Sequence, residues 1–242
     1  MDFTYTAYSS LLDSLRAHGY SFCDYHDYGG HPRCVIMRHD IDNQIDHALG
    51  LAELEAAQNV KSTYFVLLST DIYNVASEKN RALIKRIQSL GHEIGLHYDE
   101  VVYGSDESGE SNVRNILKEA DILSKIIESP VTTVSMHRPS RHTLEADLEI
   151  PEIVNSYGKT FFKDFKYLSD SRRNWREPVL DIIDSEEFDK LHILTHAFWY
   201  HNEDIGLRET VRAYIMSANK ERYMSMTTNI RDLDTIMKEE EL

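Results

Sequence analysis

Two rhythms of hydrophobic and polar positions alternate along the chain. Short unbroken apolar runs, rich in β-branched residues and closed by polar ones, predict buried strands over 35–42, 62–68, 93–97, 131–136 and 191–195. Between them apolar residues recur every three or four positions, the mark of amphipathic helices. The first helix is predicted over 6–18, with Leu11, Leu12 and Leu15 inward and Gly19 as its stop. A second starts at 43 and carries Ile45, Ala48, Leu49, Ala52, Leu54 and Ala56. A third covers 80–90 and ends at Gly91. A fourth covers 112–128, with Val113, Ile116, Leu117, Ala120, Leu123 and Ile127 on one side. A final helical stretch runs from about 207 to the charged end Lys238-Glu239-Glu240-Glu241. The remaining pattern is less regular. It predicts short strands over 20–23, 161–162, 165–168 and 179–183, a turn of helix over 185–190, a turn-rich loop over 28–32 and an acidic, flexible rim over 103–110. Strand and helix in this cadence predict an α/β fold of parallel strands joined by crossover helices, one domain over 1–242.

Composition narrows the function classes. With 242 residues, 41% of them hydrophobic, the chain can bury a sizeable core without staples. Lys and Arg number 26 against 41 Asp and Glu, a net charge of −15. Such a field repels phosphate backbones and anionic lipid, so no nucleic-acid or membrane-surface partner is expected. Cys23 and Cys34 have no metal-type spacing and imply no disulfide framework. No apolar run approaches a membrane span, and Met1-Asp2-Phe3-Thr4-Tyr5 does not open a signal peptide, so a soluble, cytoplasmic protein is expected.

The chemistry gathers where strands end. Val35-Ile36-Met37 opens into Arg38-His39-Asp40-Ile41-Asp42, and strand alternation turns Asp40 and Asp42 one way and Ile41 the other. Two carboxylates on one face, with His39 beside them, can hold a divalent cation and leave one carboxylate as a base. The competing reading is an Asp pair that caps the helix starting at 43. Three further strand ends finish in His97/Asp99, His137/Arg138 and His196. In parallel sheets and barrels, sites form at this C-terminal end. His92 sits on the opposite face from His97 and is read as structural.

Over most of the chain these residues resemble the polysaccharide deacetylase family, the NodB-homology or carbohydrate esterase family-four group, and more closely its cytoplasmic branch linked to surface-polysaccharide biosynthesis. His39-Asp40-Ile41-Asp42 stands at the first motif, Gly91-His92-Glu93-Ile94-Gly95-Leu96-His97 at the second, and His137-Arg138-Pro139-Ser140 at the third. The fourth resembles Asp170-Ser171-Arg172-Arg173-Asn174-Trp175, and the fifth is Leu194-Thr195-His196. There are two departures. Ile41 splits aspartates that are usually adjacent, and Val101 stands where a second histidine usually follows the first.

The resemblance implies a distorted (β/α) barrel of about seven parallel strands and a metal-dependent removal of acetyl groups from N- or O-acetylated sugars. In the family's order Asp40 is the base and Asp42 a metal ligand, though the inserted Ile41 leaves the reverse assignment open. His97 is the second ligand and His137 the third, with His196 as the alternative third. Otherwise His196 is the general acid. Arg138 and Asp170 form a charge pair that orients Asp40. His39, Tyr98, Trp199 and Tyr200 are candidate substrate contacts, the aromatics having a core role as their alternative. Zinc suits a nitrogen-rich ligand set, and cobalt, nickel or iron can serve. The substrate expected is an acetylated amino sugar or polysaccharide precursor. Two other readings stay open: another barrel metal hydrolase acting on a cyclic amide or phosphoester, and a catalytically inactive, glycan-binding relative.

Overall fold

The structure is a computed structural model that describes residues 1–104 and 109–242. The chain divides into two compact units, Met1–Asn202 and Glu203–Leu242. Among the described residues, the first holds every strand. In chain order these are β1 (Ser21–Cys23), β2 (Cys34–Ile41), β3 (Thr63–Leu67), β4 (Glu93–Tyr98), β5 (Thr133–Met136), β6 (Val154–Asn155), β7 (Lys166–Ser169) and β8 (Lys190–Thr195). Seven of them run in the order β6-β5-β4-β3-β2-β8-β7, and every pairing is parallel. β1 shares an edge of β2 with β3: Cys34 to Ile36 pair with β1, and Arg38 to Ile41 pair with β3. The result is a curled, distorted (β/α) barrel whose two end strands, β6 and β7, flank the open seam.

The helices of this unit are α1 (Tyr5–Ala17), α2 (Ile45–Ala57), α3 (Glu78–Ser89), α4 (Glu100–Tyr103), α5 (Glu110–Ile127), α6 (Arg141–Ala146) and α7 (Val179–Asp184). The main helices form where the period of apolar residues predicts them. Thr4 caps α1 with its hydroxyl, and Gly19 leaves the helix at φ +76°, a conformation that favours glycine. On α5 the buried face is Ile116, Ala120, Leu123 and Ile127, but Leu117 is exposed and Glu119 takes an inward position. The expected acidic rim over 103–110 falls partly outside the described residues, at 105–108.

Three local expectations are corrected. The run 179–183 is helix, not strand: Pro178 precedes it, and Val179 and Ile183 are buried one turn apart. Residues 185–189 form an irregular connection rather than a turn of helix. Phe161 and Phe162 lie in a π-helical turn, Thr160–Asp164, whose rings fill the region beside β7, and the strand begins only at Lys166. Gly95 on β4 is there because of close packing. A side chain at that position would meet the Phe65 ring at 2.5 Å and the Thr133 carbonyl at 3.0 Å.

The second unit consists of α8 (Gly206–Thr227), α9 (Leu233–Ile236) and a closing turn, tied by Tyr223 Oη to the Met237 carbonyl (2.8 Å) and by Lys220 to Glu239 (3.2 Å). Among the described residues no helix is long and apolar enough to cross a membrane.

Candidate active site

β2 delivers the first groups. Its alternation turns Arg38, Asp40 and then Asp42, just past the strand, toward the barrel interior. Neither aspartate caps α2, whose N-cap is Gln44 with no side-chain bond, so the capping reading does not hold. Arg38 is fully buried. Its Nη2 donates to Asp40 Oδ2 (2.7 Å) and Ser135 Oγ (2.6 Å), its Nη1 donates to Ser156 Oγ (3.0 Å), and the guanidinium lies over the Phe65 and Tyr157 rings. Burial by itself would raise the pKa of Asp40. The Arg38 charge, with those of His97 and His196, outweighs burial and holds the carboxyl below its ordinary range.

Three ligand-type atoms converge beside Asp40. Asp42 Oδ1 lies 3.2 Å from His97 Nε2 and 3.2 Å from His137 Nδ1, and the two nitrogens are 3.1 Å apart. These residues come from the ends of β2, β4 and β5, and they form the one metal-type group among the described residues. A tetrahedral ion with bonds of about 2.0–2.1 Å spaces its ligands about 3.3–3.4 Å apart, so the triangle fits one face of such a polyhedron. Asp42 Oδ1 is itself buried without a well-formed hydrogen bond, and a coordinated cation would satisfy that oxygen instead. His97 Nδ1 faces the Ser135 carbonyl (3.4 Å), which favours a proton there and turns the Nε2 lone pair into the triangle. Burial opposes ionisation of Asp42, but His137, His97 and His196 together hold its pKa well below the ordinary carboxylate range.

His196, just past β8, closes the other side, with Nε2 3.7 Å from Asp42 Oδ2. Its Nδ1 meets Asp170 Oδ1 at 2.6 Å, and its backbone N–H donates to both Asp170 oxygens at 3.1 Å. Burial would lower the pKa of this imidazole, but the Asp170 carboxylate raises it to about 9. Trp199 lies beside it, ring centroids 6.4 Å apart, with a buried, unbonded indole N–H.

Several expected roles are corrected. Arg138 does not pair with Asp170 or orient Asp40. It forms a two-pronged ion pair with Asp99, Nε to Oδ2 at 3.1 Å, and its side chain is 57% exposed. Asp170 holds His196 instead. His39 cannot touch a substrate: odd-numbered against Asp40, it turns to the back of the sheet, fully buried between Glu55 (3.0 Å) and Thr195 (2.6 Å). Tyr98 is buried and donates to Asn112 Oδ1 (3.1 Å), and Tyr200 is buried against Tyr8 with its hydroxyl on Asp170 (3.2 Å). Both are supports rather than contacts. Trp199 alone of the four is half-buried beside the site. Val101 is 59% exposed on α4, and His137 stands at the third corner of the triangle. The residues missed from the sequence are Arg38, Ser135 and Ser156. Arg38 carried a usable signal, since it shares the two-residue period of Asp40 and Asp42.

No protein-family model matches the chain, and no curated protein does. Among solved structures, a CE4 family pseudoenzyme from Bacillus anthracis aligns at 14% identity and a TM-score of 0.46, over 77% of this chain and 63% of its own. The chain thus spans less than two thirds of that protein's length. A family 4 carbohydrate esterase from Bacillus anthracis aligns at 13% identity and a TM-score of 0.45, over 88% of this chain and 85% of its own. A family 4 acetyl xylan esterase from Clostridium thermocellum, in complex with a cobalt ion, aligns at 16% identity and 0.43, over 77% and 84%.

Proposed function

We propose that the chain is a metal-dependent hydrolase that removes an acetyl or other small acyl group from an amino sugar or polysaccharide precursor. The observation that carries this reading is the triangle of Asp42 Oδ1, His97 Nε2 and His137 Nδ1, with edges of 3.1 to 3.2 Å, flanked by a carboxylate on one side and an imidazolium on the other. Asp42, His97 and His137 would hold a divalent ion, with zinc the best match to one oxygen and two nitrogens. Such an ion lowers the pKa of a bound water and polarises an acyl carbonyl.

The chain's own groups account for the proton transfers. Asp40 Oδ2 is engaged by Arg38, while Oδ1 has only the Ser135 hydroxyl at 3.5 Å. Oδ1 is therefore the oxygen free to take a proton from the attacking water. His196 keeps its Nδ1 proton on Asp170, so the proton it gives to the departing nitrogen or oxygen leaves from Nε2. A half-buried Trp199 beside this nitrogen offers an apolar face for the sugar ring.

The test is acetate release from acetylated N-acetylglucosamine oligomers and acetylated xylan by protein loaded with zinc, cobalt, nickel or ferrous iron. Release by the parent is expected. Asp40→Asn should lose about 100-fold or more in rate while retaining the metal. A parent protein that binds zinc but releases no acetate from either substrate overturns the hydrolase reading in favour of glycan binding.

A further inference from the structure

We propose that Arg38 is the positioning residue for Asp40, doing from within β2 what the motif resemblance assigns to Arg138. The inference rests on the hydrolase reading above for its catalytic meaning, but its geometry stands apart from it. Arg138 is unavailable: its guanidinium is engaged by Asp99, and its side chain is exposed at the rim. Arg38 is the group that grips the carboxylate, and it is fully buried.

The grip is directional. Nη2 takes Asp40 Oδ2 at 2.7 Å, and the same nitrogen reaches Ser135 Oγ at 2.6 Å. Having accepted there, the Ser135 hydroxyl turns its own proton toward Asp40 Oδ1, 3.5 Å away. Nη1 is fixed to Ser156 Oγ at 3.0 Å, and the guanidinium lies over the Phe65 and Tyr157 rings, 5.2 and 5.0 Å from their centroids. Four strands therefore take part in aiming one carboxylate: β2 supplies Arg38 and Asp40, β5 supplies Ser135, β3 supplies Phe65, and the end of β6 supplies Ser156. A planar fork that never loses its charge can hold one oxygen and leave the other open, whereas an ammonium would be a single point of contact. The hydrogen bonds of Arg38 go to Asp40, Ser135 and Ser156 rather than to Asp42, His97 or His137, while the oxygen it grips also lies 3.6 Å from His97 Nε2.

The test uses the full chain with zinc and 4-nitrophenyl acetate as the probe, along with a crystal structure of each variant. Arg38→Met should lower kcat by about 100-fold with KM within about threefold, since only proton transfer is affected. Zinc stoichiometry should match the parent, and the Asp40 carboxylate should have rotated away from its place beside His97. Arg38→Lys should recover part of kcat. If Arg38→Met does not fold, Ser156→Ala, which removes only the Nη1 partner, is read the same way, with a several-fold kcat loss and a shifted Asp40 expected. Asp40 unmoved and kcat within threefold of the parent overturns the proposal, as does an Arg138→Ala variant that displaces Asp40 while Arg38→Met does not. A parent without acetate release removes the hydrolase reading alone. The position of Asp40 in the variant structures then decides the role of Arg38.

Discussion

A histidine that protonates a leaving group must first hold a proton, and burial works against that charge. His196 meets both conditions through Asp170, whose carboxylate outweighs burial and raises the imidazole to about 9 from its ordinary 6.5. The sign follows directly. With its folded value above the ordinary one, the ring is protonated through neutral pH and gives up its charge only as pH rises toward 9. Asp170→Asn keeps the shape but removes the charge, so burial dominates and the pKa falls. The alkaline limb of kcat should then move to lower pH, with the rate at pH 8 down by about 10- to 100-fold. A pH–rate profile of acetate release from this variant checks it, and an alkaline limb that stays in place excludes His196 as the acid. The same residue shows why a support can be mistaken for a contact. Tyr200 follows His196 closely in the chain, yet its hydroxyl serves Asp170 rather than a substrate.

At the scale of elements, β2 is held from behind as firmly as from the front. Glu55 of α2 is fully buried and accepts hydrogen bonds from Tyr8 (2.6 Å), Ser62 (2.8 Å), Tyr64 (2.6 Å) and the His39 ring (3.0 Å). His39 continues to Thr195 on β8, its partner in the strand register. One network thus ties α1, α2, β3, β2 and β8 together directly behind Asp40 and His196. Burial opposes the Glu55 charge, but His39 and the other donors prevail and lower its pKa to about 2. Because the folded value lies below the ordinary one of 4.5, the stabilisation is complete above pH 4.5 and is lost as pH falls toward 2. Glu55→Gln should destabilise the protein by about 2–4 kcal/mol at pH 7. The gap from the parent should narrow between pH 4.5 and 2. Urea unfolding across that range measures both, and a variant as stable as the parent would show that the network does not hold the elements together. This network was not legible in the sequence, because Glu55 sits among alanines and leucines of a helix whose period says only which face is inward. The helices with long periodic patterns and the strands with unbroken apolar runs were legible. Val179 to Ile183 was not, since five residues of that composition suit either element until packing decides. Phe161 and Phe162 were misread for a related reason: aromatic residues favour strands, but here their rings pack at the edge of the sheet from a helical turn.

For the molecule as a whole, the convergence of strand ends was legible, because parallel topology alone sends residues 42, 97, 137 and 196 to one mouth. Which group faces which across that mouth was not, and the exchange of partners among Arg38, Asp99, Arg138 and Asp170 depends on distances that no spacing rule contains. The same distinction bears on how metal binding must be tested. A chain of net charge −15 draws any divalent cation to its surface carboxylates, so binding alone proves little. Specificity separates the two cases. Calcium prefers many oxygen ligands, whereas two imidazoles and one carboxylate favour zinc. A ligand present at about 1,000 times its Kd stabilises the folded state by about 4 kcal/mol. In a domain of about 200 residues that corresponds to a rise in Tm of roughly 8–16 °C. Zinc added to metal-free parent protein should give a shift of this order, while calcium at the same concentration should give at most a degree or two. His97→Ala and His137→Ala should each reduce the zinc shift to the calcium level, because removing either nitrogen leaves only two corners of the triangle. A zinc shift that survives both substitutions, or one that calcium reproduces, would assign the binding to dispersed surface acids and leave the mouth of the barrel without an ion.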